Sequence, residues 1–189
     1  MSGYDWFIGS MTNVRSILIF NSFFTIVDDN TRATWIYLVH LKEQIPSLLV
    51  SFFAYVKTHF QKQPKVFRSD NGTEIVNKTC AKFFQNHRVV HQKSIAYTPQ
   101  QNGRVERKHR HLLDITKALR LQANLPLKFW GDCILTATYL INKMPVKILD
   151  WKSPYESLYG KPPTYDHLRA IGCLCYTANV KPHKDNLKT

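Results

Sequence analysis

Lys65-Val66-Phe67-Arg68-Ser69-Asp70-Asn71-Gly72 is the stretch on which the fold turns: a short β-rich run that ends in a tight Ser-Asp-Asn-Gly turn. Upstream, Ile45, Leu48, Leu49, Phe52, Phe53 and Val56 recur at steps of three and four, which predicts a helix over 43–60, with Pro46 in its tolerant first turn. Before it, Phe23 to Val27 and Ala33 to Leu41 read as two strands of a hairpin around Asp28-Asp29-Asn30. Downstream, the pattern predicts a helix over 74–87 and a strand from Val89 to Ile95, followed by the polar loop Thr98-Pro99-Gln100-Gln101-Asn102-Gly103. A long helix is expected from Gly103 to about Ala123 and another over 127–143. From residue 150 the chain reads as irregular, with a last strand over 168–178. Strands interspersed with helices make an α/β architecture, a mixed sheet flanked by helices. The expected organisation is a core over 1–145 with a C-terminal extension over 146–189.

Charge narrows the partner. The chain carries 26 Lys and Arg against 13 Asp and Glu, and residues 1–60 contribute nothing to the excess. The whole formal +13 lies beyond residue 60, a localised positive field that suits a polyanion such as nucleic acid. The apolar fraction of 44% argues for a folded globule. The apolar stretch Ile17 to Val27 is broken by Asn21 and Ser22 and is too short to span a bilayer, so no membrane partner is expected. Cys80, Cys133, Cys173 and Cys175 include no C-x-x-C pair, and no cysteine pair follows His87 and His91 at zinc-ligand distance.

Two carboxylates stand out by position. Asp70 closes a predicted strand, and Glu106 lies in the first turns of the long helix, with 35 residues between them. That interval holds a helix, a strand and a loop, enough for the chain to return. Each acid also has an ordinary structural use, Asp70 as a turn-former and Glu106 as a complement to the helix dipole. Converging carboxylates suit Mg²⁺ or Mn²⁺, which prefer hard oxygen ligands. Phosphoryl transfer on nucleic acid commonly uses two such ions roughly 4 Å apart, with a further carboxylate bridging them.

The segments RSDNGTE (68–74) and TPQQNGRVERKHRHLL (98–113) resemble the integrase core of copia-type retrotransposon Pol polyproteins, as do TIVDDNTRATWIYL, KFWGD, YLIN, PYE and GCLCY. The resemblance runs from about residue 23 to the C-terminus. It implies an RNase-H-like fold and divalent-metal-dependent processing and strand transfer of element DNA by an Asp, Asp, Glu triad. On that resemblance Asp70 is the second acid and Glu106 the third. Relatives carry the first on an opening strand, in a stretch like Asp-any-Trp-Gly-Pro. Tyr4-Asp5-Trp6-Phe7-Ile8-Gly9 is the nearest match, lacking the Gly-Pro, which makes Asp5 the candidate. Asp28 and Asp29 match the family's VDD turn instead. The resemblance further implies a fragment of a longer element polyprotein, acting as a homo-multimer on element ends and target DNA. In a eukaryotic host that action implies the nucleus. A core without a working first acid would instead be an inactive remnant that only binds nucleic acid, and a ribonuclease of the same fold is a third possibility.

Along the long helix, Glu106, Arg110, Leu113, Lys117 and Arg120 share one stripe, with Arg107, Lys108 and His109 flanking its start. With Arg104, these cations are candidates to hold phosphate backbone. Gln101 and Asn102, in the preceding loop, are candidates to hydrogen-bond DNA. Val105, Leu112, Ile115 and Leu119 form a separate apolar stripe expected to face the core. Trp130, Trp151, Tyr155 and Tyr159 are aromatic enough to stack on bases, though packing against the core or a partner explains them better.

Overall fold

The computed structural model describes residues 5–12, 22–70, 72–93 and 103–174, with the backbone alone for 5–12 and Arg104. The strands are β1 (Asp5–Thr12), β2 (Ser22–Asp28), β3 (Thr34–Val39), β4 (Val66–Ser69) and β5 (Val90–Lys93). The helices are α1 (Ile45–Phe60), α2 (Lys78–Asn86), α3 (Gly103–Gln122), α4 (Trp130–Lys143) and α5 (Pro154–Tyr159). The strands form one sheet in the order β3-β2-β1-β4-β5. β1, β2 and β3 pair antiparallel, whereas β1, β4 and β5 run parallel. The expected mixed sheet flanked by helices is what the chain adopts.

β2 shows why the sheet needs cover on both sides. Every residue from Phe23 to Val27 is buried, yet successive side chains point to opposite faces. Phe24 and Ile26 join Leu49, Phe52 and Phe53 of α1, Phe84 of α2, and Phe67 of β4. Phe23 meets Leu112 of α3 and Ile134, Ala137 and Ile141 of α4. α1 and α2 therefore cover one face, α3 and α4 the other. The edge strand β3 is closed locally by Asn142 of α4, which accepts from Thr34 N at 2.9 Å and donates to Thr34 O at 2.7 Å.

Several elements differ from the sequence pattern for local reasons. β1 lies at the centre of the sheet, but its Gly and Ser interrupt any apolar run, and only the family resemblance implied an opening strand. α2 begins at Lys78, not 74, because Asn77 caps it by accepting from Cys80 N at 2.8 Å. The tail is less irregular than expected. Ser153 accepts from Glu156 N at 3.0 Å and Pro154 opens α5, a Ser-Pro-x-Glu start that was readable in the sequence. No strand forms over 168–174, and residues 175–178 of that expectation lie outside the described residues.

On α3, Val105 and Leu112 are buried as expected. His109, read from sequence as flanking the DNA stripe, instead points inward against Phe23, with ring centroids 5.5 Å apart. Its Nε2 is buried with no hydrogen-bond partner among the described residues, and burial lowers its pKa to about 4.

Two measurements test this core. Phe67 is fully buried between Phe53 and Phe84, and Phe67→Ala is expected to cost about 3–5 kcal/mol in urea unfolding. His109 has a folded pKa below its unfolded value, so the native state resists the proton. The stability it contributes is complete above the unfolded pKa near 6.5 and is lost as pH falls toward 4. Urea midpoints at pH 7 and pH 4 should therefore differ by about 3 kcal/mol more in the wild type than in His109→Phe.

Candidate active site and nucleic-acid interface

β4 delivers Asp70 one residue past its end, where the chain leaves the sheet. Ser69 anchors that exit: its Oγ donates to Asp70 O at 2.8 Å and lies 2.8 Å from His91 Nε2 of β5. Asp70 is half-buried, and its Oδ1 accepts from Gly72 N at 3.3 Å. Burial raises its pKa, the Gly72 bond opposes the rise, nearby Glu74 adds to it and Lys42 lowers it. Asp70 is thus a carboxylate whose charge is poorly compensated, the condition a cation would relieve.

Glu74 is the residue the sequence reading missed, although it closes the quoted RSDNGTE segment. Its side chain is only 5% exposed, with Oε1 3.9 Å from Lys42 Nζ. A Cβ on Gly72 would stand 2.8 Å from its carboxylate, so the glycine makes room for a second acid beside Asp70. Its signal was the Gly-any-Glu spacing immediately after Asp70.

The other expected acids come from β1 and α3. Asp5 opens β1, the strand beside β4, and its Cα partner is Val66. Asp70 is four residues beyond Val66, so roughly 13 Å of strand rise separate the two backbone positions. Glu106 is exposed in the first turns of α3, and the contacts found at Asp70 come from Gly72, Glu74 and Lys42. Among the described residues no group of three His, Cys, Asp or Glu is placed to hold a metal ion. The oxygen donors at Asp70 fit Mg²⁺ or Mn²⁺ in kind. The VDD turn is structural: Asp28 is fully buried and accepts from Thr31 N at 3.0 Å and Thr31 Oγ1 at 2.5 Å, while Asp29 holds Arg32 at 2.6 Å.

Of the expected DNA contacts, Arg107, Arg110 and Lys117 are exposed on α3. Arg120 is half-buried and donates to Leu125 O at 3.2 Å, which ties it to the end of its own helix. Lys108, read as flanking the start of that stripe, lies on the far flank of α3 from Glu106, in a cleft with Arg32. Gln101 and Asn102 lie outside the described residues, and only the backbone of Arg104 is described. Tyr155 and Tyr159 stack on each other at 4.6 Å and line a pocket with Lys143, while Tyr159 and Trp151 stay exposed.

A five-stranded mixed sheet with an acid at the exit of β4 and helices on both faces defines an RNase-H-like integrase core fold. Residues 5–99 match the integrase core domain family, and the chain belongs to that family. It is 37% identical over 167 residues to the retrovirus-related Pol polyprotein from transposon RE1 of Arabidopsis thaliana, covering 88% of this chain. It is 32% identical over 165 residues to that from transposon TNT 1-94 of Nicotiana tabacum, covering 87%. The chain spans only 11% and 12% of the length of those polyproteins. Among solved structures, the HTLV-2 integrase catalytic core domain in complex with magnesium (trimeric form) aligns with a TM-score of 0.62 at 16% identity, covering 82% of this chain and 96% of that one. A simian T-cell lymphotropic virus intasome in complex with a PP2A B56 gamma subunit aligns with a TM-score of 0.68 at 17% identity, covering 89% and 59%. These likenesses carry the fold. Among the described residues no helix is long and apolar enough to cross a membrane.

The packing of Glu74 on Gly72 is directly testable. Gly72→Ala should lower stability by no more than about 1 kcal/mol, because the new methyl meets only the movable end of the Glu74 side chain. In a Glu74→Ala background the same substitution should cost little, and a double-mutant cycle by urea unfolding measures the difference.

Proposed function

We propose that this chain is the catalytic core of a copia-type retrotransposon integrase, a polynucleotidyl transferase acting on DNA. The observation that carries the reading is Asp70, an undercompensated carboxylate at the exit of β4, inside a chain whose first half matches the integrase core family. Glu106 lies in the first turns of α3 with 35 residues between it and Asp70, the spacing the resemblance requires. Asp5 is the first acid on this reading, on the strand adjacent to β4.

In the working complex Asp5, Asp70 and Glu106 would hold two Mg²⁺ or Mn²⁺ ions. Those ions supply charge that activates the attacking oxygen and steadies the leaving one. The chain's own residues do the rest. The Asp70 turn fixes one ligand through Ser69 and Gly72, and the exposed cations Arg110 and Lys117 lay phosphate backbone along α3. The reaction is an in-line transfer in which a 3′-hydroxyl attacks a target phosphodiester, its oxygen bonding to phosphorus as the target strand's P–O3′ bond breaks and the target 3′-hydroxyl leaves, with no protein nucleophile. The likeness to an intasome and to a trimeric core supports a multimer on DNA, with residues 146–189 as an extension of the 1–145 core. Chromosomal DNA as target places the action in the nucleus of a eukaryotic host.

A second reading, DNA binding without catalysis, is favoured by the β1–β4 register, which sets Asp5 four residues short of Asp70. Strand transfer with Mn²⁺ and a recessed duplex separates the two. On the first reading Asp70→Asn and Glu106→Gln each reduce transfer at least about 100-fold, the scale for one preorganised charge-stabilising group, and leave duplex binding in chelator unchanged. Asp5→Asn should match them. A wild-type chain that binds duplex in chelator but transfers nothing belongs to the second reading.

A further inference from the structure

On the flank of α3 turned away from Glu106, a cleft of about 300 Å³ opens between α3, the β2–β3 turn and the segment after α4. Arg32, Arg107, Lys108 and His111 line it, together with the buried Val27 and the exposed Ile148. At 3.6 residues per turn Lys108 stands about 200° around the helix from Glu106, and His111 follows Lys108 on the same side. Arg107 falls between the two flanks. This group of cations is therefore distinct from the stripe that Arg110 and Lys117 share with Glu106.

The four groups come from two elements far apart in sequence, and the fold pushes like charges together. Arg32 takes a left-handed backbone conformation, φ 61°, rarely adopted by a residue of its kind. Asp29 meets its Nη1 at 2.6 Å, but its Nε is buried and finds no acceptor among the described residues. Lys108 makes no ion pair with a described acid, and burial together with Arg32 lowers its pKa to about 8. A half-buried lysine beside a second cation with an unmet donor is an arrangement that an anion with several acceptor oxygens would satisfy. A phosphate fits both the volume and the forked donors of arginine.

We propose that this cleft is a second phosphate-binding site, which takes backbone phosphates of DNA on the flank of α3 opposite Glu106. The inference rests on the DNA-binding reading above and deepens it: α3 would grip nucleic acid on two sides, one strand path passing the acids and another seated between Arg32 and Lys108. Two such paths suit a reaction that joins two DNA segments.

The test is anisotropy binding of a short labelled duplex of arbitrary sequence across a salt series, with chelator present. Lys108→Gln should weaken binding and reduce the salt slope by about one, as expected for one lost phosphate contact. His111→Glu, at the exposed rim, should weaken it further without disturbing the Arg32 turn, and melting temperatures check that both variants fold. The Arg110→Gln, Lys117→Gln pair on the Glu106 face should act additively with them. Wild-type affinity and slope in both cleft variants, with Arg110→Gln, Lys117→Gln still weakened, overturns the cleft and leaves the DNA reading standing. A wild-type chain that binds no duplex at low salt overturns both. Thermal stabilisation by inorganic phosphate that Lys108→Gln abolishes, with no change in DNA binding, makes the cleft a small-anion site and overturns the DNA assignment.

Discussion

Phe23 and Phe24 are neighbours in the chain and enter opposite cores, one beneath α3 and α4, the other beneath α1 and α2. A strand loaded on both faces cannot be left open to water on either, so helices must be recruited to both sides of the sheet. The rest of the architecture follows from that demand. The connection from β4 through α2 to β5 stays on one side, and α3 then crosses to the other, where Leu112 and Val105 complete the burial. The crossing fixes which flank of α3 meets solvent, and with it the place of every cation the helix carries.

The same burial sets the electrostatics. Asp70 and Glu74 are drawn in at the end of β4 with one lysine near them, and both the burial and the mutual repulsion favour the protonated form of Asp70. On the other side of the molecule Lys108 is drawn in beside Arg32 with the opposite sign and the same imbalance. Uncompensated charge of one sign stands at each place. A fold that only needed stability would have replaced or paired these groups, since a half-buried charge without a partner costs free energy. Their retention in a chain of the integrase core family fits a molecule that completes itself on cations and on polyanionic DNA.

Asp28 shows the contrasting case. It is more deeply buried than Asp70 and its pKa is also raised, yet Thr31 supplies two donors at hydrogen-bond distance and Asn30 a longer third. The carboxylate is consumed by the turn that carries Arg32. Two acids that look alike in the sequence, each next to a turn cluster, differ because one has its lone pairs filled by its own loop.

Much of the fold was legible from periodicity. The spacing of Ile45, Leu49, Phe52, Phe53 and Val56 marked α1, and the β-branched and aromatic run ending at Asp28 marked β2, because in both the burial pattern repeats with the geometry of the element. The placing of Asp70 at a strand exit and of Glu106 in the first turns of a long helix was legible through motif and spacing, which are properties of the chain order itself. β1 was not, because its place at the centre of the sheet comes from partners on both sides and not from its own composition. Glu74 was overlooked because its Gly-any-Glu spacing after Asp70, though readable, does not say that the carboxylate is buried. The inward turn of His109, the pairing of Lys108 with Arg32 and the separation of Asp5 from Asp70 by four residues of register belong to tertiary structure alone. Sequence periodicity says which residues share a face; only the packing of one element on another decides what that face meets.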